Sequence, residues 1–96
     1  MLVLPAELTH AQATACCRML AQALRSEPGR EAVADASALR DFDSSALAVL
    51  LECRREALAL GKQFAVSHMH PRLRALATLY GVAELLPETA ATPVAG

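Results

Sequence analysis

Val33 to Leu51 reads VADASALRDFDSSALAVLL, and the parsing of this stretch decides the fold. The run Ala32-Val33-Ala34-Asp35-Ala36 gives way to a loop from Ser37 to Asp43, with Leu39 and Phe42 as expected inward anchors. The run is weak as a strand on propensity alone, because alanine is a poor strand former. Its place between a helix stop and a turn-rich segment supports it. A helix is then expected from Asp43 or Ser44 to about Leu60. Leu47, Leu50, Leu51 and Leu58, with Ala46, Val49 and Cys53, form its apolar stripe. Glu52, Arg55, Glu56 and Ala59 fall outside that stripe, and Gly61 supplies a left-handed stop.

Upstream, Met1 to Leu4 is an apolar run that reads as a short buried strand. Thr9 and Gln12 stand in capping-box relation at the start of a helix. Ala13, Cys16, Cys17, Leu20 and Leu24 line one face of that helix, and Pro28-Gly29 ends it. Downstream, Gln63 to Ser67 reads as a third strand. Pro71 suits the first turn of a third helix, where its missing N–H costs nothing. Leu73, Leu76, Ala77 and Tyr80 form its apolar spacing, and Gly81 stops it. Val82 to Leu86 could add one more turn, while Pro87 to Gly96 has no periodicity and is expected to fray.

Strand alternating with helix three times is the pattern of an α/β fold: a short, mostly parallel sheet with three main crossover helices packed on it. The 96 residues leave room for one domain. Apolar residues make up 54% of the chain, yet Phe42, Phe64 and Tyr80 are its aromatics, so the core must be built from Leu, Val and Ala. Three strands leave two sheet edges, which a second copy, a partner or the chain ends could cover.

A net charge of −1 excludes a long-range field drawing the chain to nucleic acid or anionic lipid. Arg72 and Arg74, with His68 and His70, make the locally basic stretch, which reads first as a solvated helix start. Met1 to Leu4 has no basic lead and is too short for a secretory signal core. No uncharged run approaches the ~20 residues that span a bilayer. The chain is therefore expected in the cytoplasm, without membrane insertion, its cysteines reduced.

Few residues carry recognisable chemistry. Asp43 is a natural N-cap, and Ser44 and Ser45 place two hydroxyls at a helix start, where free amides and the dipole receive an acceptor. On spacing alone, D-S-S reads first as a good helix start. His68 and His70, with His10, read as polar residues rather than metal ligands, since a site needs more ligands and a second shell. Cys16, Cys17 and Cys53 read as small core residues. No phosphate-cradling glycine loop is present, and nothing fixes a histidine near Ser44 or Ser45 for a triad. Neither catalysis nor a cofactor is expected.

Asp35-Ala36-Ser37, followed by Phe42-Asp43-Ser44-Ser45-Ala46-Leu47 and a leucine-rich helix, resembles the STAS-domain pattern. The run from Arg72 to Val82 (RLRALATLYGV), ending at Leu86-Pro87, is similar to the last helix of the family's MlaB-like branch, the accessory subunits of a bacterial phospholipid ABC transport system. The resemblance covers residues 31–87 well and the first helix more loosely. It implies a STAS domain over residues 1–87 with a flexible tail over 88–96. It also implies a non-catalytic role: binding and supporting the transporter's ATPase and, through it, a membrane permease, at the cytoplasmic side of the inner membrane in the upkeep of outer-membrane lipid asymmetry. Partner contacts are expected at Arg40, Asp41, Asp43, Ser44 and Ser45. The branch's functional hydroxyl falls on Ser44, and the serine phosphorylated in anti-sigma-factor antagonists falls on Ser45. The second reading implied is thus a signalling switch phosphorylated on Ser45. Ala46 stands where the motif has glycine, and the chain starts at what matches the family's second strand. The edge left by that absent strand is where a homodimer could form.

Overall fold

The apolar N-terminal run forms β1 (Leu2–Val3), and a second short strand, β2 (Glu7–Leu8), leads into α1 (His10–Ser26). At the head of α1, Gln12 Oε1 accepts from both the Thr9 amide at 2.9 Å and the Thr9 hydroxyl at 2.7 Å. Then follow β3 (Glu31–Asp35), β4 (Asp41–Phe42), α2 (Ser45–Ala59), β5 (Gln63–Ser67), α3 (Pro71–Leu79), a 3₁₀ turn at Ala83–Leu85, and β6 (Glu88–Thr89). The computed structural model describes residues 2–89.

The main sheet runs β1-β3-β5-β6, and every neighbouring pair is parallel. Its centre is the five-residue register from Glu31↔Gln63 to Asp35↔Ser67. The outer strands pair over two residues each, Leu2↔Ala34 and Val3↔Asp35 on one side, Val66↔Glu88 and Ser67↔Thr89 on the other. β2 and β4 form a separate parallel pair, Glu7↔Asp41 and Leu8↔Phe42.

The side-chain alternation of the strands shows where the core sits. Leu2, Ala32, Ala34, Phe64 and Val66 are buried on the helix side, whereas Val3 is 58% exposed and Val33 and Ala65 are half-buried on the other. Parallel sheets are usually covered on both faces. Here the buried apolar cluster lies on one face, filled by Leu20 and Leu24 of α1, Val49 and Leu50 of α2, and Leu73 and Ala77 of α3. Alanines at sheet and helix positions, among them Ala34, Ala46 and Ala57, let the two layers approach closely in a core that contains one phenylalanine. Gly61 and Gly81, both at φ +75°, turn the chain out of α2 and α3.

Five details differ from the sequence reading, the first being β2 itself, since no strand was expected at Glu7–Leu8. Glu88 and Thr89, expected in the tail, form an edge strand; residues 90–96 lie outside the described residues. Asp41 and Phe42, expected in an irregular loop, pair with β2. Leu58 is 50% exposed rather than buried, because Ala57 takes the central position of the last turn. At ~100° per residue, Leu58 is carried round toward solvent. Tyr80 is 55% exposed at the end of α3.

The segment between α2 and β5 holds a residue with no counterpart in the sequence reading. Lys62 is 8% exposed, and its Nζ donates to the carbonyls of Leu24, at 3.2 Å, and Glu27. These carbonyls lie at the C-terminus of α1, where the dipole favours a cation. A buried ammonium thus closes the first helix.

Candidate functional site

The carboxyl ends of β3 and β5 and the amino ends of all three helices lie at one end of the sheet, the usual location of sites in open α/β folds. Leu39 is buried and anchors the loop after β3. The amides of Arg40 and Asp41 both donate to the Ala6 carbonyl, at 2.9 and 3.0 Å. This tie delivers Phe42 and Asp43 to the start of α2 in a fixed position.

Asp43 then joins two helices. Its Oδ1 accepts from the Ser45 amide at 2.8 Å and its Oδ2 from the His10 amide at 3.2 Å. The Ser45 amide does most to hold this carboxyl below the usual carboxylate range; it outweighs partial desolvation, and the His10 amide and Ser45 hydroxyl assist. Both oxygens of Asp43 are therefore used within the chain. Asp43 sits among the expected partner contacts, and the structure gives it a scaffold's work.

Ser44 already has helical backbone angles, φ −64° and ψ −14°, and its side chain makes no capping bond. It is exposed, while Ser45 is half-buried with its hydroxyl toward Asp43. The two serines, equivalent in the sequence, are thus unlike in the structure. Ala48, one turn after Ser44, is also exposed and adds little bulk. Arg40 and Asp41 are exposed on the same loop.

A second cluster adjoins the loop. The Arg72 guanidinium carbon lies 4.6 Å from the Phe42 ring centroid, and Arg72 Nη2 donates to the Arg40 carbonyl at 3.3 Å. The His70 ring meets Phe42 edge-on, with centroids 5.4 Å apart. His70 Nδ1 also accepts the Arg72 amide at 3.0 Å, so this histidine caps α3. Sequence spacing put Arg72 on a solvated helix start, and contacts across 30 residues leave no local signal of the stack.

His68 is employed elsewhere. It is a non-glycine residue at φ +56°, and its Nδ1 lies 3.2 Å from Asp35 Oδ1. Burial works against the charge of Asp35, but the Ser37 amide and hydroxyl, with the His68 imidazole, outweigh it and hold the carboxyl below its ordinary value. Among the described residues no three His, Cys, Asp or Glu side chains converge as a metal would require. Cys16 and Cys53 are buried and Cys17 half-buried, all as free thiols; burial pushes Cys53 up to about 12. No described helix is long and apolar enough to cross a membrane.

The arrangement offers an exposed hydroxyl and small side chains on a rigid helix start, with arginines at the rim. Such a surface suits protein contact. Compared with known proteins, residues 1–87 match the family model described as Mlab, STAS domain. No curated protein matches the chain.

Proposed function

The chain belongs to the STAS family, whose domains have regulatory or binding roles and are generally non-catalytic, and from this premise we propose that it is an accessory subunit of a bacterial phospholipid ABC transporter. In this reading it binds the transporter's ATPase on the cytoplasmic side of the inner membrane, contacts the permease only through that ATPase, and supports traffic that maintains outer-membrane lipid asymmetry. The match to the MlaB-described model over residues 1–87 supports the choice of branch.

The observation that carries the docking surface is the exposed Ser44 on a helix start locked from behind by Asp43. A partner meeting it need order little, because both ends of the loop are already fixed. Ser44 supplies the central hydrogen bond, Ala48 lets the partner backbone approach, and Arg40 and Asp41 form the rim. Ser44→Arg is expected to abolish copurification with the ATPase while the far-UV circular dichroism spectrum stays that of the wild type. Unchanged copurification would remove this surface.

Phosphorylation of Ser45, the alternative switch, meets an obstacle in the geometry. The phosphate would bring about −1.5 to −2 charges against the Asp43 carboxylate. That carboxylate already accepts from the Ser45 amide, with the Ser45 hydroxyl beside it, so the added charge would weaken the cap it depends on.

A further inference from the structure

We propose that Arg72, held by Phe42 and seconded by Arg40, anchors a carboxylate of the docked partner protein at the rim of the Ser44 surface; this deepens the docking reading and rests on it. The Arg72 guanidinium is held from two directions before any partner arrives. It lies 4.6 Å over the Phe42 ring and donates through Nη2 to the Arg40 carbonyl at 3.3 Å. The Phe42 ring is in turn braced by the edge of His70 and by its backbone pairing to Leu8. A planar fork fixed in this way loses little side-chain freedom when it binds, unlike a free surface arginine.

Among the described residues Arg72 nonetheless faces no acidic partner. Arg25, Arg55 and Arg74 each face a glutamate of this chain, but among the described residues neither Arg72 nor Arg40 is ion-paired. The bond from Arg72 to the Arg40 carbonyl brings two such cations to one rim, Arg40 lying four residues before Ser44 in the loop. A carboxylate matches the guanidinium fork with two parallel hydrogen bonds. Asp41, exposed on the same loop, would repel a doubly charged phosphate more strongly than a singly charged carboxylate. The ligand class is therefore an Asp or Glu side chain, or a chain end, of the partner.

The test is the affinity of the full chain for the ATPase, read by biolayer interferometry at low and moderate salt. Arg72→Gln is expected to weaken binding about tenfold and flatten its salt dependence, since a charge-assisted contact is lost. Arg72→Lys is expected not to restore it, because a point charge cannot copy the fork. Phe42→Leu should fall between wild type and Arg72→Gln. Melting temperatures of the Arg72 variants should stay close to the wild type, which separates loss of contact from loss of fold. Wild-type affinity and salt slope in Arg72→Gln, with Ser44→Arg still inactive, would overturn the anchor and leave the docking surface standing. Ser44→Arg binding at full strength would instead remove the docking surface, and the anchor with it. Loss of binding to phosphatidylglycerol vesicles in Arg72→Gln, with ATPase affinity intact, would assign the arginine to lipid and also overturn the proposal.

Discussion

Asp43 and His10 stand 33 positions apart in the chain, yet the carboxylate of one accepts the backbone amide of the other at 3.2 Å. Its other oxygen holds the Ser45 amide, so one side chain caps the starts of α1 and α2 together. The loop proposed for docking is thus stiffened by the first helix as well as by its own.

Asp43→Ala is expected to lower the urea midpoint with little change in slope, because both helices lose a terminal acceptor. The pH dependence gives a sharper check. The folded pKa of Asp43 is depressed, so its contribution is fully present above the unfolded value of about 3.9 and is lost as pH falls through the folded one. Between about pH 5 and 2 the wild type should therefore lose stability more steeply than Asp43→Ala. Parallel pH profiles would contradict this role.

Lys62→Met removes two hydrogen bonds from a buried ammonium to the carbonyls that end α1. Bonds to charged groups contribute about 1.5–3 kcal/mol. In a domain of this size a loss of about 2 kcal/mol lowers the melting temperature by roughly 8–16 °C. Calorimetry would check it, and a shift under ~2 °C would argue that water replaces the amine.

At position 68 the left-handed backbone should rank substitutions by sterics. Gly relieves roughly 1–2 kcal/mol of strain, which offsets the loss of an exposed pair with Asp35 worth about 0–1 kcal/mol. A β-branched residue is the poorest fit at φ +56°. The expected order of urea midpoints is His68→Gly at or above wild type, then His68→Ala, then His68→Val.

The thiols should label in order of burial. Cys17 is half-buried, whereas Cys53 is buried with its pKa pushed up to about 12. Iodoacetamide at pH 8 should modify Cys17 first and leave Cys53 unmodified until the chain unfolds, as read by peptide mass spectrometry. Early labelling of Cys53 would place it nearer solvent than its burial indicates.

The helices were legible because their apolar residues recur over three or more turns and their ends carry Thr9, Pro28-Gly29, Asp43, Gly61, Pro71 and Gly81. The two central strands followed from their position between those ends. A two-residue strand has no period to detect; β1 was legible from its apolar run, but β2, β4 and β6 became visible only through their partners. Asp43 as a cap could be read locally, but its second oxygen could not, since nothing near residue 43 points to His10. Lys62 and Arg72 share that limit. Each is an ordinary surface cation by sequence, and each takes its place from carbonyls more than 30 residues away. The spacing of Ser44 and Ser45 likewise could not rank them, because their difference lies in which hydroxyl turns to Asp43.

The most direct test of the docking surface is a photo-crosslinking amino acid placed at Ser44 and, as a control, at exposed Met19 on α1. After irradiation of cells expressing the full transporter, position 44 should give an adduct with the ATPase and position 19 should give none. An adduct from Met19 with none from Ser44 would contradict the account.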